Sequence, residues 1–487
     1  DSSTSRGLGD VYKRQVKSTS VKSTSRNISH NAAMNASEKK AIVGLGGIFA
    51  LRMLGLFMIV PVFAVYGTQY AHATPFLIGL AIGIYGLGQA IFQIPMSFLA
   101  DKYPRKPIII AGLLVFALGG AICALSTDIY MVILGRLIAG SGAVSAVVMA
   151  LLADVTREEH RTKAMATMGL TIAMSVMVAF GLGPILTHVL DISGLFWVTV
   201  ASAIFAIGLL WIVPTPNRVL KHNLNNHSVK AQFADVLKIG DINRLHLAIF
   251  ALHLSMTAMF TLLPHQFHDV LGLTVAQQGF VYLPLLLLGF IIAVPLIIIA
   301  EKKRQMRAVF LASLATLVAG LVFLAVASQT IVGLIVGLAV YYIGFNSLEA
   351  TIPSWISKRA PVANKATAMG INSSAQFLGA FVGGAMGGIL LTKPMWLSWT
   401  VLAIVTVIAL LFILPIASPP YLTSLTITLP TGIDTTAWSQ QILAIDGVDE
   451  IVMMPKENIA YLKLDKEKLT DDTRQYLSHL TGQTLAI

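Results

Sequence analysis

Four ionisable side chains lie deep inside long apolar stretches of the 487-residue sequence: Arg52, Arg136, His253 and Glu349. A charged group is costly in apolar surroundings, so each of the four is a candidate for a substrate or proton pathway. A proton carrier needs a pKa that can cross the working pH range, which histidine and glutamate offer and arginine does not. His253 and Glu349 are therefore the candidate proton carriers. The alternatives are a hydrogen-bonded interior histidine and a structural acid paired with a basic residue.

A second set of charges separates two apolar stretches, in the segment Ser97-Phe-Leu-Ala-Asp101-Lys102-Tyr-Pro104-Arg105-Lys106-Pro107. Its prolines stop the first helix, and so short a loop makes the flanking helices antiparallel neighbours. An acid at the end of a membrane helix needs a partner, so we expect Asp101 and Arg105 to form a conformational switch. Asp154, near the end of the fourth apolar stretch, can reach Arg105 if the second and fourth helices are adjacent. The alternative is a positive anchor at the membrane surface, which we prefer for Lys102 and Lys106.

Two short runs of small residues predict close packing of helices. Arg136 is followed by Gly140 and Gly142, and the next apolar stretch contains Gly183-Pro184. Glycine lets the backbones of neighbouring membrane helices approach each other, and a Gly-Pro pair is a common site of a kink. We therefore expect these glycines and the proline to serve helix packing.

The composition is that of a protein that crosses a membrane several times. Hydrophobic residues make up 56% of the chain and charged residues 12%, whereas soluble domains carry about 25% charged residues. The net charge of +11 resides mainly in short loops beside apolar stretches, which argues against a nucleic-acid-binding face. The single cysteine, Cys123, allows neither an internal disulfide nor a thiolate metal cluster. We expect no metal and no cofactor.

The apolar stretches form two sets of six spans, each about the 20 residues that a helix needs to cross a bilayer. A polar connection at 214–243 separates an N-terminal bundle, 41–213, from a C-terminal bundle, 244–416. The predicted spans are 42–67, 76–100, 107–127, 129–153, 164–190, 194–213, 244–268, 278–300, 306–327, 330–353, 366–391 and 395–416.

The loops between these spans differ in charge. Those on one side hold 18 lysines and arginines, and those on the other side hold Lys393 alone. Positively charged loops stay in the cytoplasm, so both termini are expected there. The halves also resemble each other, because Pro95 precedes Asp101 by six residues and Pro295 precedes Glu301 by six. Such symmetry is typical of a transporter with its substrate path between two bundles, although basic loops can look alike by chance.

Polar segments flank the predicted membrane region. Residues 1–40, which contain a repeated Val-Lys-Ser-Thr-Ser, are expected to form a disordered tail. Residues 420–487 follow Pro419-Pro420 and read as strand, helix, two strands, helix and a last strand at 484–487. This βαββαβ order indicates a small α+β ferredoxin-like domain in the cytoplasm, with a regulatory or oligomerising role.

The charged segment resembles motif A of the major facilitator superfamily, with Ser97 and Pro104 in place of its glycines and Lys102 in place of its first arginine. The stretch from Arg136 to Ala143 resembles motif B, and Gly181-Leu-Gly183-Pro184 is similar to the core of the antiporter motif. Across its length the chain resembles the YajR-type branch of the drug:proton antiporters. The strings that carry this resemblance include Leu51-Arg52-Met-Leu-Gly-Leu-Phe, Gln89-Ala-Ile-Phe-Gln-Ile-Pro95 and Gln376-Phe-Leu-Gly379.

The resemblance implies an all-α membrane protein of 12 helices in two six-helix bundles, working by alternating access. It also implies a charge relay of Asp101, Arg105 and Asp154 that stabilises the outward-open state. The small C-terminal domain belongs to the same resemblance.

We therefore expect a proton-coupled exporter of small organic molecules in a bacterial inner membrane. Its partners would be the substrate, protons and the lipid bilayer, with self-association through the C-terminal domain as an option. A metabolite uniporter or importer is one alternative, and a membrane sensor that signals through the C-terminal domain is another. An enzyme is not expected, because the sequence contains no H-E-x-x-H, no G-x-S-x-G and no paired aspartates at mid-depth.

Overall fold

The computed structural model describes residues 34–215, 229–361, 364–429, 435–454, 459–465 and 468–481. These residues form two bundles of long helices followed by a small α+β domain, as predicted. Residues 1–33, which make up most of the predicted tail, lie outside the described ranges. The predicted last strand, 484–487, lies outside them as well.

Seven helices build the N-terminal bundle: α1 (Ala36–Phe57), α2 (Val60–Tyr66), α3 (Pro75–Lys102), α4 (Arg105–Leu125), α5 (Ile129–Ser141), α6 (Ser145–Val155) and α7 (Glu158–Leu209). The first of them begins inside the segment predicted as a tail. Asn35 and Glu38 form a capping box there, in which each side chain accepts a hydrogen bond from the other residue's backbone N–H. This satisfies donors at the helix start that have no partner within the helix.

Two predicted spans are interrupted. The first breaks before α2, because Pro61 has no N–H to donate to the carbonyl of Phe57. The fourth breaks at 142–144, where Gly142 ends α5 and a new helix starts at Ser145. This second break turns the end of the fourth span into a separate 11-residue helix, α6.

The fifth and sixth spans are the two arms of α7. A straight helix of its 52 residues would be about 78 Å long, more than twice the thickness of a bilayer core. The helix is interrupted at Asp191, whose φ of 59° and ψ of 178° are not helical. The two arms run along α1 in opposite directions, as four close approaches show: Thr171 to Gly46, Gly183 to Met58, Thr199 to Gly55 and Leu209 to Gly47. The 11 long apolar helices therefore correspond to the twelve predicted spans.

In the C-terminal half, the described residues form seven further helices: α8 (Val229–Leu237), α9 (Gly240–Leu271), α10 (Val275–Lys302), α11 (Met306–Ala327), α12 (Ile331–Arg359), α13 (Lys365–Leu390) and α14 (Met395–Ile413). The short helix α8 lies in the segment predicted as a linker. It contacts α13, where the Thr367 hydroxyl donates to Gln232 Oε1 at 3.0 Å. The six longer helices are the predicted seventh to twelfth spans.

The connections between spans lie at two ends of the bundles. The basic end carries the connections at 103–104, 156–157, 303–305 and 360–364, beside most of the lysines and arginines. The opposite end carries the connections at 70–74, 126–128, 272–274, 328–330 and 391–394 and the turn at Asp191. Two of these connections meet, since His72 Nδ1 lies 2.6 Å from Asp128 Oδ2.

The two bundles touch toward the opposite end. A Cβ built on Gly384 of α13 would lie 2.6 Å from both the Gly79 oxygen and the Gly83 nitrogen of α3. On the other side of the interface, Gly181 of α7 lies against Gly279 of α10. Nearer mid-depth, the Ser374 hydroxyl donates to the Ala90 carbonyl at 3.2 Å. These approaches between glycines hold the bundles together at that end.

The C-terminal domain contains β1 (Thr423–Thr428), α15 (Thr435–Leu443), β2 (Val448–Met454), β3 (Ile459–Leu464) and α16 (Asp471–Thr481). Its strands form an antiparallel sheet in the order β1-β3-β2. The helices cover one face of the sheet, with Trp438 and Leu477 in a core with Leu462. The predicted order of strand, helix, two strands and helix agrees with these elements.

Candidate functional site

His253 and Glu349, predicted separately as proton carriers, lie side by side between the seventh and tenth spans. His253 Nε2 is 3.6 Å from Glu349 Oε2. The amide of Gln376, on the eleventh span, joins them: its Nε2 lies 2.8 Å from His253 Nε2 and 3.2 Å from Glu349 Oε1. The histidine side chain is 8% exposed and that of the glutamate 39%. The glutamate side chain is thus partly exposed, although its Oε2 atom is buried.

The hydrogen bonds indicate the tautomer of His253. Its Nδ1 faces the Ile249 carbonyl at 3.2 Å, and a carbonyl only accepts, so Nδ1 carries the proton. Nε2 is then free to accept from the Gln376 amide. A proton arriving at Nε2 requires that amide to turn away, whereas Glu349 Oε2 is buried without a hydrogen-bond partner in the described part of the chain. In this arrangement the Gln376 amide, and not the carboxylate, is the hydrogen-bond partner of His253 Nε2.

Arg52 lies at the centre of a polar network in the N-terminal bundle and is 3% exposed. Its guanidinium donates to Ser145 Oγ, Tyr85 OH, Gln89 Oε1 and the Gly142 carbonyl, the second and third at 2.9 and 2.6 Å. All four are neutral acceptors. Arg52 thus ties α3 to the start of α6, and the break at 142–144 supplies one of its acceptors.

The network continues along α3 toward the basic end. Gln89 donates to Gln93 Oε1 at 2.8 Å, and the Ser97 hydroxyl donates to the Gln93 carbonyl at 2.8 Å. These residues are four apart, so they lie on one face of the helix, and Asp101 is the next residue in the series. The side chain of Asp101 lies outside the part of the chain that the structure describes.

Arg136, the other buried arginine, serves a structural contact. It is 4% exposed and donates to the carbonyls of Ala81 and Ile82 on α3. Its guanidinium also lies 6.0 Å from the centre of the Tyr85 ring. The four predicted pathway residues therefore lie at two places: the His253–Glu349 pair in the C-terminal bundle, and Arg52 and Arg136 in the N-terminal bundle, where both contact Tyr85.

Two members of the predicted switch meet at the basic end. Arg105 Nε donates to Asp154 Oδ2 at 2.5 Å and its Nη2 to Oδ1 at 3.3 Å, so the pair is bidentate. It joins the start of α4 to the end of α6, whose other end is held by Arg52. The pair is present while the bundles touch at the opposite end, so its formation is not confined to a state open there.

Sequence reasoning missed two further ion pairs that repeat in the two halves. Glu38, 1% exposed, joins the first turn of the first span to Arg157 after the fourth, at 3.0 Å. Asp241 joins the first turn of the seventh span to Arg359 at the end of the tenth, also at 3.0 Å. Each pair connects segments more than 100 residues apart, which local patterns cannot reveal.

The predicted packing residues all lie at close approaches of helices. Gly140 packs against the Tyr85 backbone, Gly142 against Gly112, and Gly183 against Met58. Pro184 follows Gly183 inside the first arm of α7, where that arm passes the break in the first span. Any side chain at these glycines would meet backbone atoms of the neighbouring helix.

A family model described as Major Facilitator Superfamily matches residues 45–384 of the chain. The chain belongs to this superfamily. Its relatives in the superfamily include the inner membrane transport protein YajR of Escherichia coli strain K12, which is 41% identical over 446 residues, 89% of this chain and 96% of YajR. The class H tetracycline resistance protein of Pasteurella multocida is 31% identical over 189 residues, 37% of this chain and 46% of that protein.

Solved structures of the superfamily share the fold. A bacterial homologue of the human lysosomal transporter Spinster, in an inward-facing and occupied conformation, superposes with a TM-score of 0.65. The match has 13% sequence identity and covers 78% of this chain and 97% of the homologue. The predicted family and fold class are thus confirmed.

Proposed function

We propose that this protein is a secondary active transporter that exports small organic molecules from a bacterium in exchange for protons. The observation that carries the proposal is the His253–Gln376–Glu349 cluster, a titratable group at mid-depth in a membrane protein of the superfamily. The similarity to tetracycline resistance proteins supports export, and the similarity to YajR supports an inner-membrane location. The charge bias of the loops supports a cytoplasmic position for the basic end and both termini.

In this proposal, a proton and a substrate compete for Glu349. The ionised carboxylate attracts a positively charged or hydrogen-bond-donating substrate, and protonation removes that attraction. His253 lies behind the acid and offers a second place for the proton, 3.6 Å away. Alternating access then follows from separating the glycine contacts at the opposite end and closing the bundles at the basic end. The Arg105–Asp154 pair, with Asp101, would act as the switch between these states.

Transport by purified protein in liposomes with an imposed pH gradient tests the proposal. Wild type should accumulate at least one member of a panel of amphipathic dyes when the gradient is present. Glu349→Gln should abolish this accumulation while still allowing exchange of dye down its own gradient. Asp269→Asn, an exposed acid at the end of α9, is the matched control and should behave like wild type. Accumulation by Glu349→Gln at the wild-type level would refute the assignment of the proton site.

A sensor function is the second candidate, because the C-terminal domain docks on the basic end. Tyr421 OH accepts a hydrogen bond from the Met306 N–H at 3.0 Å. The same ring lies 5.4 Å from the Arg304 guanidinium and 5.1 Å from Lys358 Nζ. Lys358 in turn pairs with Glu301 at the end of α10. Deleting 420–487 should alter a cellular response without abolishing transport if the domain signals.

A further inference from the structure

An aromatic cluster joins the two bundles at the side of the interface formed by α7, α9, α10 and α12. Phe180 of the N-terminal bundle stacks on Phe260 of the C-terminal bundle, with ring centres 4.0 Å apart and planes within 4°. Tyr282 and Tyr342 flank Phe260, at centre distances of 5.5 and 6.4 Å. The flat face of Phe260 is therefore covered by a residue that belongs to the other bundle.

Two hydroxyl groups in this cluster make no hydrogen bond with the described residues in this conformation. The hydroxyls of Tyr282 and Tyr342 are buried and have no hydrogen-bond partner among the described residues. The neighbouring Tyr341 is just as buried, yet its hydroxyl lies 2.9 Å from Ser255 Oγ. A buried hydroxyl without a partner costs about 1–3 kcal/mol, and phenylalanine would fill the same space without that cost. Two such groups beside one ring indicate a partner that this conformation lacks.

The cluster lies on the same faces of α9 and α12 as His253 and Glu349, the proposed proton site. Phe260 follows His253 by seven residues on α9, and Tyr342 precedes Glu349 by seven on α12. Seven residues are two helical turns, so each pair shares a helix face with about 10.5 Å along the axis between its members. A molecule between the bundles can therefore touch the carboxylate with one end and the aromatic cluster with the other.

We propose that Phe260, Tyr282 and Tyr342 form a binding subsite for a planar aromatic group that carries oxygen acceptors. The ring of the substrate takes the place of Phe180 on Phe260 once the bundles separate at this end, and the two phenols donate hydrogen bonds to its oxygens. This inference rests on the proposed transport function and names its substrate class: flat, amphipathic molecules with a polar group about 10 Å from the ring.

Equilibrium binding to purified full-length protein in detergent tests the subsite with two planar probes. Nalidixic acid carries ketone and carboxylate oxygens, whereas proflavine has a comparable flat ring system without oxygen acceptors. Tyr282→Phe and Tyr342→Phe should each weaken nalidixic acid binding by about 5- to 10-fold, the equivalent of one hydrogen bond. Proflavine binding should stay within about twofold of wild type in both variants. Tyr341→Phe, which removes a hydroxyl that already has a partner, should bind both probes like wild type.

Thermal unfolding without any probe provides a second readout on the same three variants. Tyr282→Phe and Tyr342→Phe should melt at or above the wild-type temperature, because they remove unpaired groups. Tyr341→Phe should melt lower. Three results would each overturn the subsite. The first is an equal loss of affinity for nalidixic acid and for proflavine in Tyr282→Phe and Tyr342→Phe. The others are an unchanged affinity for nalidixic acid in these variants and a wild type that binds neither probe.

The proposed function can fail separately from the subsite. If wild-type protein accumulates other dyes in response to a pH gradient but shows any of those three results, only the subsite is wrong. If nalidixic acid binding depends on the two hydroxyls as expected but no probe moves across liposomes, the transport function is wrong and the site is a ligand site of another kind.

Discussion

Adding one methyl group at Gly384 should shift the protein toward a state that is open at the opposite end. A Cβ at this position of α13 would lie 2.6 Å from the Gly79 oxygen and the Gly83 nitrogen, both backbone atoms of α3 in the other bundle. Backbone atoms cannot rotate away, so the two helices must move apart. Gly370, on the same helix, provides the matched control, because a Cβ added there would meet no atom within 4 Å.

The size of the shift follows from the cost of overpacking. Forcing extra atoms into a close-packed contact costs about 1–3 kcal/mol, and the contact exists only while the bundles touch at this end. A cost of about 2 kcal/mol changes the ratio of the two states by roughly 30-fold. Gly384→Ala and Gly370→Ala gain a similar helix propensity, about 1 kcal/mol in any conformation, so the difference between them isolates the contact.

Spin labels on Val189 and Val332 would report the change as a distance distribution. These residues are 76% and 72% exposed, lie at the opposite end and belong to different bundles. The native Cys123 is 1% exposed and is replaced by alanine to leave the two label sites as the only cysteines. In Gly384→Ala, the distribution should contain an additional population with a longer distance between the two labels. This population should be much smaller in wild type and in Gly370→Ala. An unchanged distribution in folded Gly384→Ala protein would refute the view that this contact closes the pathway.

Three further outcomes follow from the contacts. Arg105→Gln and Asp154→Asn should each lower the free energy of unfolding by about 1 kcal/mol. The double variant Arg105→Asp with Asp154→Arg should recover part of this stability. A double variant that is no more stable than the single variants would count against the pair. Arg52→Met should lower the free energy of unfolding by about 2–3 kcal/mol, seen as a lower melting temperature, because the network loses all the guanidinium donors. Arg52→Lys keeps some of the donors and should lower the stability by less. An unchanged melting temperature in Arg52→Met would contradict the role of the network. Tyr421→Ala should speed hydrogen exchange at 303–306 more than Tyr421→Phe, which keeps the ring between its two cations, and equal rates would show that the ring does not dock the domain.

Local patterns predicted the membrane spans and the strands of the C-terminal domain because both depend on neighbouring residues. The lengths of the apolar stretches located all twelve spans, and alternation located β3 at Ile459–Leu464. His253 and Glu349 could be chosen from the sequence because an ionisable group in an apolar stretch stands out. Their contact could not be predicted, since it depends on how α9 and α12 pack.

Other features had no local signal. Gln376 was visible only as part of a family resemblance, and the structure shows that its amide bridges the two candidate proton carriers. The break at 142–144 contains no proline, and its carbonyl at Gly142 is bound by Arg52 from a different helix. Glu38 falls in a segment predicted as a tail because its partner, Arg157, is 119 residues away. Sequence reasoning fails at such long-range pairs because each member looks ordinary in its own segment.

The most direct measurement is proton release when a transported probe binds to the purified protein in weakly buffered detergent solution. If proton and substrate compete for Glu349, wild type preloaded at low pH should release about one proton for each probe molecule bound. Glu349→Gln should bind the probe and release none. Binding to wild type without proton release, or equal release by wild type and Glu349→Gln, would contradict proton exchange at this site.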